Sequence, residues 1–341
     1  MPWWDAQNHA DRRPLLALRG RIKARLRGWF EAQGFTEVEC AVLGVSPGNE
    51  AHLHAFETRI QAPDGGTRAL YLHTSPEFAA KKLLAAGEDR IFEFARVFRN
   101  REHTRLHAPE FTMLEWYRAK KEYRVVIADA LALMRLAAEA AGRKFTWLDR
   151  ECDGVAEPEW LSVADAFRHH AGIELLDTLS PDGTGNRDML ATKARRAGFA
   201  IAEDDGWSDI FSKVLAARVE PKLGLGRPTV LYEYPRAEAA LARPKPGDGR
   251  LAERFELYAC GVELANGFGE LTDPQEQRAR FVAEMDEKER RHGERYPLDE
   301  EFLAALAKMP EASGVAMGFD RLVMLAAGAP NIDSVLWTPL A

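Results

Sequence analysis

The sequence predicts an α+β fold in which an antiparallel sheet is flanked by helices, and three observations predict it. The chain has 341 residues, 46% of them hydrophobic, enough for one large core or two modest domains. Residues 91–99 and 110–119 read as two strands joined by a short charged loop, with a long helix over 123–141 directly after them. Further strands over 231–234, 255–259 and 262–265 are followed by charged helices over 274–296 and 299–308.

The remaining elements follow from local chemistry. Leu15, Leu18, Ile22, Leu26 and Trp29/Phe30 recur at helical spacing over 15–33, with Gly34 as the stop, and residues 1–12 read as a polar tail. Residues 35–45 read as a strand. Two β-rich pieces, 56–60 and 69–72, flank Pro63-Asp64-Gly65-Gly66, the turn chemistry of a hairpin, and 76–86 reads as a helix. From 142 to 227 the pattern is helical but less regular, punctuated by Pro158, Pro181, Gly183, Gly185 and Pro221, and reads as a helical insertion within one domain, 13–341. Residues 314–324 form a glycine-containing strand-to-helix junction, and there is no internal repeat.

Composition narrows the function. No stretch reaches the roughly 18 uncharged apolar residues that cross a bilayer, and the first thirteen residues have no secretory pattern, so a soluble protein is expected. Cys40, Cys152 and Cys260 are far apart and odd in number, which offers neither a disulfide framework nor a Cys-x-x-Cys metal site and fits a reducing cytoplasm. A net charge of −7 weighs against extensive nucleic-acid binding.

Three segments concentrate chemistry. Arg99-Asn100-Arg101-Glu102, then Arg105, His107 and Glu110-Phe111, place cations and an aromatic between two strands. Arginine forks suit a polyphosphate and Phe111 suits a base, although a solvated charged loop reads equally well from this segment alone. Gly314-Val315-Ala316-Met317-Gly318-Phe319-Asp320-Arg321 offers close backbone approach and an arginine at a helix start, without P-loop spacing. Glu256, Glu263 and Glu270 fall seven residues apart, suited to Mg²⁺ or a cationic substrate, or else a chance interval. Because seven is odd, the turn at Cys260-Gly261 has to reset the strand phase for them to share a face.

Together these segments resemble the class II aminoacyl-tRNA synthetase motifs, within the lysyl-tRNA synthetase group. Arg99-Asn100 through His107-Ala108-Pro109-Glu110-Phe111-Thr112 resembles motif 2, 314–324 resembles motif 3, and Glu263-Leu264-Ala265-Asn266-Gly267-Phe268-Gly269-Glu270 resembles the lysine-pocket strand, so that the likeness runs from about Arg13 to the end. It implies a class II catalytic core. The first core helix begins near Leu15, which leaves no room for the group's anticodon-binding domain. Thr74-Ser75-Pro76-Glu77, Glu115-Trp116-Tyr117 and Gly314-Val315-Ala316 resemble the truncated paralogues that attach β-lysine to translation elongation factor P.

The resemblance carries expectations residue by residue. It implies ATP and Mg²⁺ as cofactors, lysine or β-lysine as substrate, elongation factor P as acceptor, a homodimer, and no stable tRNA binding. Arg99 and Arg321 are the expected catalytic residues. The ATP set is Arg99, Asn100, Arg101, His107, Ala108, Phe111, Glu263, Leu264, Gly318 and Arg321, with Glu256 and Glu263 on the metal. The substrate pocket is Ser75, Pro76, Glu77, Tyr117, Glu270 and Ala316, two separated carboxylates being what a diamine requires. Three departures stand out. Arg101 occupies the third place of a motif that reads Arg-x-Glu in the family, Ala108 stands for Asn, and the motif 1 proline is replaced near Ala41. Two rivals are a related adenylate-forming ligase acting on another amino acid and a non-catalytic synthetase paralogue.

Overall fold

A capping aspartate starts the first helix. In the computed structural model, which describes residues 2–340, α1 (Ala6–Ala32) opens at Asp5, whose carboxylate accepts from the backbone N–H groups of Gln7 and Asn8. The expected tail over 1–12 is therefore helical from Ala6 onward, and Pro14 lies inside the helix despite removing one backbone donor. Tertiary contacts compensate. Arg12 donates to the carbonyls of Asp333 and Leu336, anchoring a turn whose local sequence is a poor helix former.

Next come β1 (Thr36–Glu37), β2 (Leu43–Gly44), β3 (Phe56–Gln61), β4 (Thr67–Leu72), α2 (Glu77–Ala86), β5 (Arg90–Phe98) and β6 (Glu110–Ala119). The strand expected over 35–45 is reduced to two short pieces, because Val38 and Cys40 spend their N–H groups on Phe92 O and the Glu93 carboxylate. Then follow α3 (Tyr123–Ala141), β7 (Phe145–Trp147), β8 (Arg150–Cys152), β9 (Glu159–Ser162), α4 (Val163–Ala171), α5 (Arg187–Arg196), α6 (Trp207–Val214), β10 (Thr229–Pro235), β11 (Leu251–Ala259) and β12 (Val262–Gly269). The chain closes with α7 (Pro274–His292), α8 (Glu300–Leu306), β13 (Ala312–Gly318) and α9 (Phe319–Ala327).

These elements form two compact units. The first contains residues up to 121, 272–324 and the stretch from 329 onward. In it β1, β5, β6 and β13 lie side by side, β1 parallel to β5 and the others antiparallel. Strand alternation gives this sheet two faces. On one, Phe92, Trp116 and Val315 stand in register, and α1 covers them through Phe30, stacked on Phe92 at 4.4 Å between ring centroids. On the other, Glu93, Glu115 and Ala316 stand in register, flanked by Ala95, Met113 and Gly318. β2, β4 and β3 make a separate three-stranded sheet.

The second unit contains 122–271 and 325–328, with β12, β11, β10 and β9 side by side. The segment expected as a helical insertion carries strands as well as helices. It contributes the β7–β8 hairpin and β9, which pairs in parallel with β10. Its helices bury Phe167, Leu190, Ile210 and Phe211 in one core with Leu231, Tyr234 and Tyr258 of the sheet. The second strand pair also runs further than expected, to Leu251 and Gly269. Asn266-Gly267-Phe268-Gly269 has little strand propensity, and pairing of Phe268 and Gly267 with Arg254 and Phe255 carries it.

A buried ion pair ties three segments of the first unit. Arg19 of α1 pairs with Asp320 of α9 and donates to Thr112 Oγ1 of β6 at 3.0 Å, while the Thr112 N–H donates to Asp320 Oδ2 at 2.7 Å. Replacing Arg19 by Leu leaves a carboxylate of 1% exposure uncompensated. Arg19→Leu should cost about 3–5 kcal/mol, read as a lower urea midpoint, and Arg19→Leu/Asp320→Asn should recover a large part of it.

Candidate active site

One face of β5, β6 and β13 gathers the side chains on which substrate chemistry can rest. Phe111, Met113, Glu115 and Tyr117 alternate onto it along β6, and Gly314, Ala316 and Gly318 stand opposite Tyr117, Glu115 and Met113 on β13. At its centre is Glu115, 2% exposed. Its Oε1 accepts from Ser75 Oγ at 2.6 Å and its Oε2 from the Tyr117 hydroxyl at 2.9 Å. Ser75 Oγ also accepts from the N–H of Glu77, the first residue of α2, and so joins the helix start to the strand. Glu77 is held in turn by Lys81 one turn on, Nζ to Oε1 at 2.5 Å, with Lys81 1% exposed. Burial, with the Glu77 carboxylate nearby, pushes the Glu115 carboxyl up to about 8.

A second group of the same unit is cationic. Arg99 continues β5 in register, its N–H bonded to Pro109 O, and its guanidinium lies 5.4 Å from the Phe111 ring centroid. Arg321, at the start of α9, donates to Leu106 O and meets His107 Nε2 at 2.7 Å. Burial and the guanidinium groups of Arg321 and Arg99 push His107 down to about 4. A neutral His107 that accepts at Nε2 carries its proton on Nδ1, which therefore donates to Thr104 Oγ1 at 2.8 Å. The Arg321 side chain lies nearest to the side on which Gly318 lacks a Cβ.

In the second unit β11 and β12 bring acids to one face by two changes of phase. The Cys260-Gly261 turn has positive φ at both residues, 55° and 71°, the conformation of a two-residue hairpin, and sets Tyr258 opposite Glu263. The register then shifts by one. Leu257 pairs with Ala265, leaving Leu264 as the extra residue of a bulge, and Glu256 pairs with Asn266. Burial records the shift, because Leu264 and Ala265 are both buried while Glu263, Asn266 and Phe268 are half-exposed. Continuing the alternation puts Glu270 on the side of Glu263 and Glu256, opposite Ala242 in a bridge closed by Arg243 N–H to Gly269 O and Leu271 N–H to Leu241 O, and its carboxylate is buried. Glu256 is anchored at both oxygens, by Arg254 at 2.7 Å and the Tyr258 hydroxyl at 2.6 Å. Gly269 lies against Glu253 and Arg243, where a Cβ would strike the carboxylate.

The whole described length matches one family. The model for class II tRNA synthetases of the D, K and N type covers residues 3–340. The chain belongs to the class II aminoacyl-tRNA synthetase family. Among its relatives, the elongation factor P–(R)-β-lysine ligase of Klebsiella pneumoniae strain 342 is 40% identical over 326 residues, 95% of this chain and 94% of the relative. The enzyme of that name from Haemophilus influenzae strain Rd is 39% identical over 337 residues, 98% of this chain and 95% of the relative.

Against the residues expected of a class II synthetase, the first unit gathers Ser75, Glu77, Tyr117 and Ala316 around Glu115, and Arg99, His107, Phe111 and Arg321 around the hairpin. Pro76 precedes the first turn of α2, and Ala108 is buried beside Pro109. Leu264 is the bulge residue. Arg101, at a φ of 65°, pairs with Glu294 and meets His54. The expectations missed Glu115 as a pocket residue. Parity held the signal, because Glu115 lies two and four residues from Tyr117 and Phe111, on the face they share.

Glu115→Gln tests the charge state of this face. The folded state holds a proton that the unfolded chain, with its value near 4.5, has released, so Glu115 detracts from stability increasingly as pH rises from about 4.5 to about 8. The Tm of Glu115→Gln minus that of the wild type should increase over this window; a flat difference would show an ordinary carboxylate.

Proposed function

We propose that this ligase activates (R)-β-lysine with ATP and transfers it to a lysine side chain of elongation factor P. The class II family and the names of its relatives support the activity. The single observation that carries the substrate class is the buried Glu115 between Ser75 and Tyr117, with Glu77 beside it. An aminoalkyl cation entering there meets acceptors already aligned, and its charge offsets the cost of ionising Glu115.

Arg99, with Phe111 beneath it, and Arg321, oriented by a neutral His107, fit a nucleotide triphosphate: two fixed guanidinium groups and one aromatic face. The substrate carboxylate attacks the α-phosphorus and pyrophosphate leaves; the acceptor amine then attacks the acyl carbon and AMP leaves. Positioning and charge neutralisation by Arg99 and Arg321 supply the rate. Mg²⁺, when bound, neutralises phosphate charge. Glu256 and Glu263 are the acids that suit it, the Glu256 carboxylate also facing the Arg254 guanidinium. A homodimer that makes no stable tRNA complex belongs to the same reading. Among the described residues no helix is long and apolar enough to cross a membrane.

Purified protein should catalyse ATP–pyrophosphate exchange that requires Mg²⁺ and β-lysine or lysine, and labelled substrate should then pass to elongation factor P. Absence of exchange with any diamino acid contradicts the reading, and efficient charging of tRNA redirects the acceptor.

Ala316 bears on the isomer. It stands opposite Glu115 and, like Phe111, packs against the cluster of Ala95, Val97 and Met113, so its methyl group borders the substrate face. One methyl group discriminates by about 1–3 kcal/mol. Ala316→Gly should raise kcat/KM for α-lysine relative to β-lysine roughly tenfold; an unchanged ratio in a folded variant removes Ala316 from isomer choice.

A further inference from the structure

Arg101 stands where the family motif has an acid, and its surroundings give it a different task. Its backbone occupies the left-handed region at φ 65°, a conformation that a non-glycine residue keeps only when its neighbours demand it. Two contacts make the demand on the backbone. The Arg101 N–H donates to Asn100 Oδ1 at 2.9 Å, and the Asn100 N–H donates to His54 O at 2.7 Å. The side chain then turns to the end of α7, where its guanidinium pairs with one oxygen of Glu294 and meets His54 Nε2 at 3.5 Å.

Glu294 is bivalent in this arrangement. Its second oxygen lies 2.9 Å from His54 Nδ1, so His54 donates to Glu294 at one ring nitrogen and presents the other to Arg101. The segment around His54 is pinned from the same side. Lys288, fully buried, donates to Ala51 O at 3.1 Å and Leu53 O at 2.7 Å; Glu284 accepts from the Ala51 N–H; and the Tyr296 hydroxyl accepts from the Ala55 N–H. The residues that follow Arg99 thus rest on 51–55, which rest on 284–296. The ion pair is half-exposed and adds little to global stability. Its effect is one of direction.

We propose that Glu294 is a positioning residue for the nucleotide: it draws Arg101 out of the nucleotide set and, through Arg101 and His54, fixes the backbone that aims Arg99 and Asn100. This rests on the assignment of Arg99 to ATP. The clamp replaces whatever an acid at position 101 supplies, and an acid there would face Glu294 with like charge.

The test compares Glu294→Gln, Arg101→Glu and the charge swap Arg101→Glu/Glu294→Arg. Each single variant should raise the KM for ATP about threefold to tenfold while the KM for the diamino acid stays within about twofold, and the swap should return most of the loss. An unchanged KM for ATP in Glu294→Gln, or a swap no better than Arg101→Glu alone, overturns the clamp and returns Arg101 to direct nucleotide contact. Amide exchange reads the same proposal without catalysis: the Asn100 N–H, bonded to His54 O, should exchange faster in Glu294→Gln than in the wild type, and an unchanged rate overturns it. If the wild type itself supports no ATP–pyrophosphate exchange, the assigned function fails and Asn100 exchange alone decides the clamp.

Discussion

The Arg19–Asp320 pair is the constraint from which the nucleotide side of the first unit is built. Asp320 precedes Arg321 and Thr112 follows Phe111, and both Asp320 and Thr112 are bonded to the guanidinium of α1. The helix therefore sets the relative placement of the arginine and the aromatic ring through the residues next to them in the chain. A charge pair this deep gives little net stability against an apolar replacement, but it is directional, and two hydrogen bonds with defined angles specify one arrangement where apolar packing allows several. Arg19 also lies 4.8 Å above the Phe319 ring, which holds the guanidinium plane.

Charge is distributed differently on the substrate face. Lys81 is buried beside Glu77, so the ligand-free pocket already contains an internal cation, and a substrate ammonium enters a partly compensated site. Glu115 has no such cation among its hydrogen-bond partners, which are hydroxyl groups able to donate or accept as its charge changes. The two acids are thus prepared differently, Glu77 beside a buried cation and Glu115 among hydroxyl groups with its proton favoured. On the proposed function, binding of a diamine there is coupled to loss of that proton, and substrate affinity carries the pH dependence of a carboxyl far above its usual range.

Long periodic elements were legible from sequence. β6 and α3 fall at the residues expected, because ten strand residues and nineteen helical ones each repeat their pattern several times over. The N-terminal turns of α1 were not legible, since what stabilises them is Asp5 on one side and a contact from Arg12 more than three hundred residues away on the other. The three strands among residues 142–227 have three or four residues each, too few to show a period of two. In the candidate site, residue types in a motif pointed to Arg99, Phe111 and Arg321. Orientation was not written there, and Arg101 shows the difference: its identity fits a phosphate, and its guanidinium pairs with Glu294.

The β11–β12 hairpin counts residues. Its acids reach one face only because a two-residue turn and a single extra residue each shift the alternation by one step, the turn resetting the odd interval from Glu256 to Glu263 and the bulge the one from Glu263 to Glu270. Such a segment is indifferent to many substitutions and intolerant of a change in length. Loss or gain of one residue between Glu263 and Glu270 would leave composition, charge and propensity almost untouched, yet would carry one carboxylate to the opposite side of the sheet. The placement of these acids is therefore held by the arithmetic of the backbone as much as by the letters of the motif.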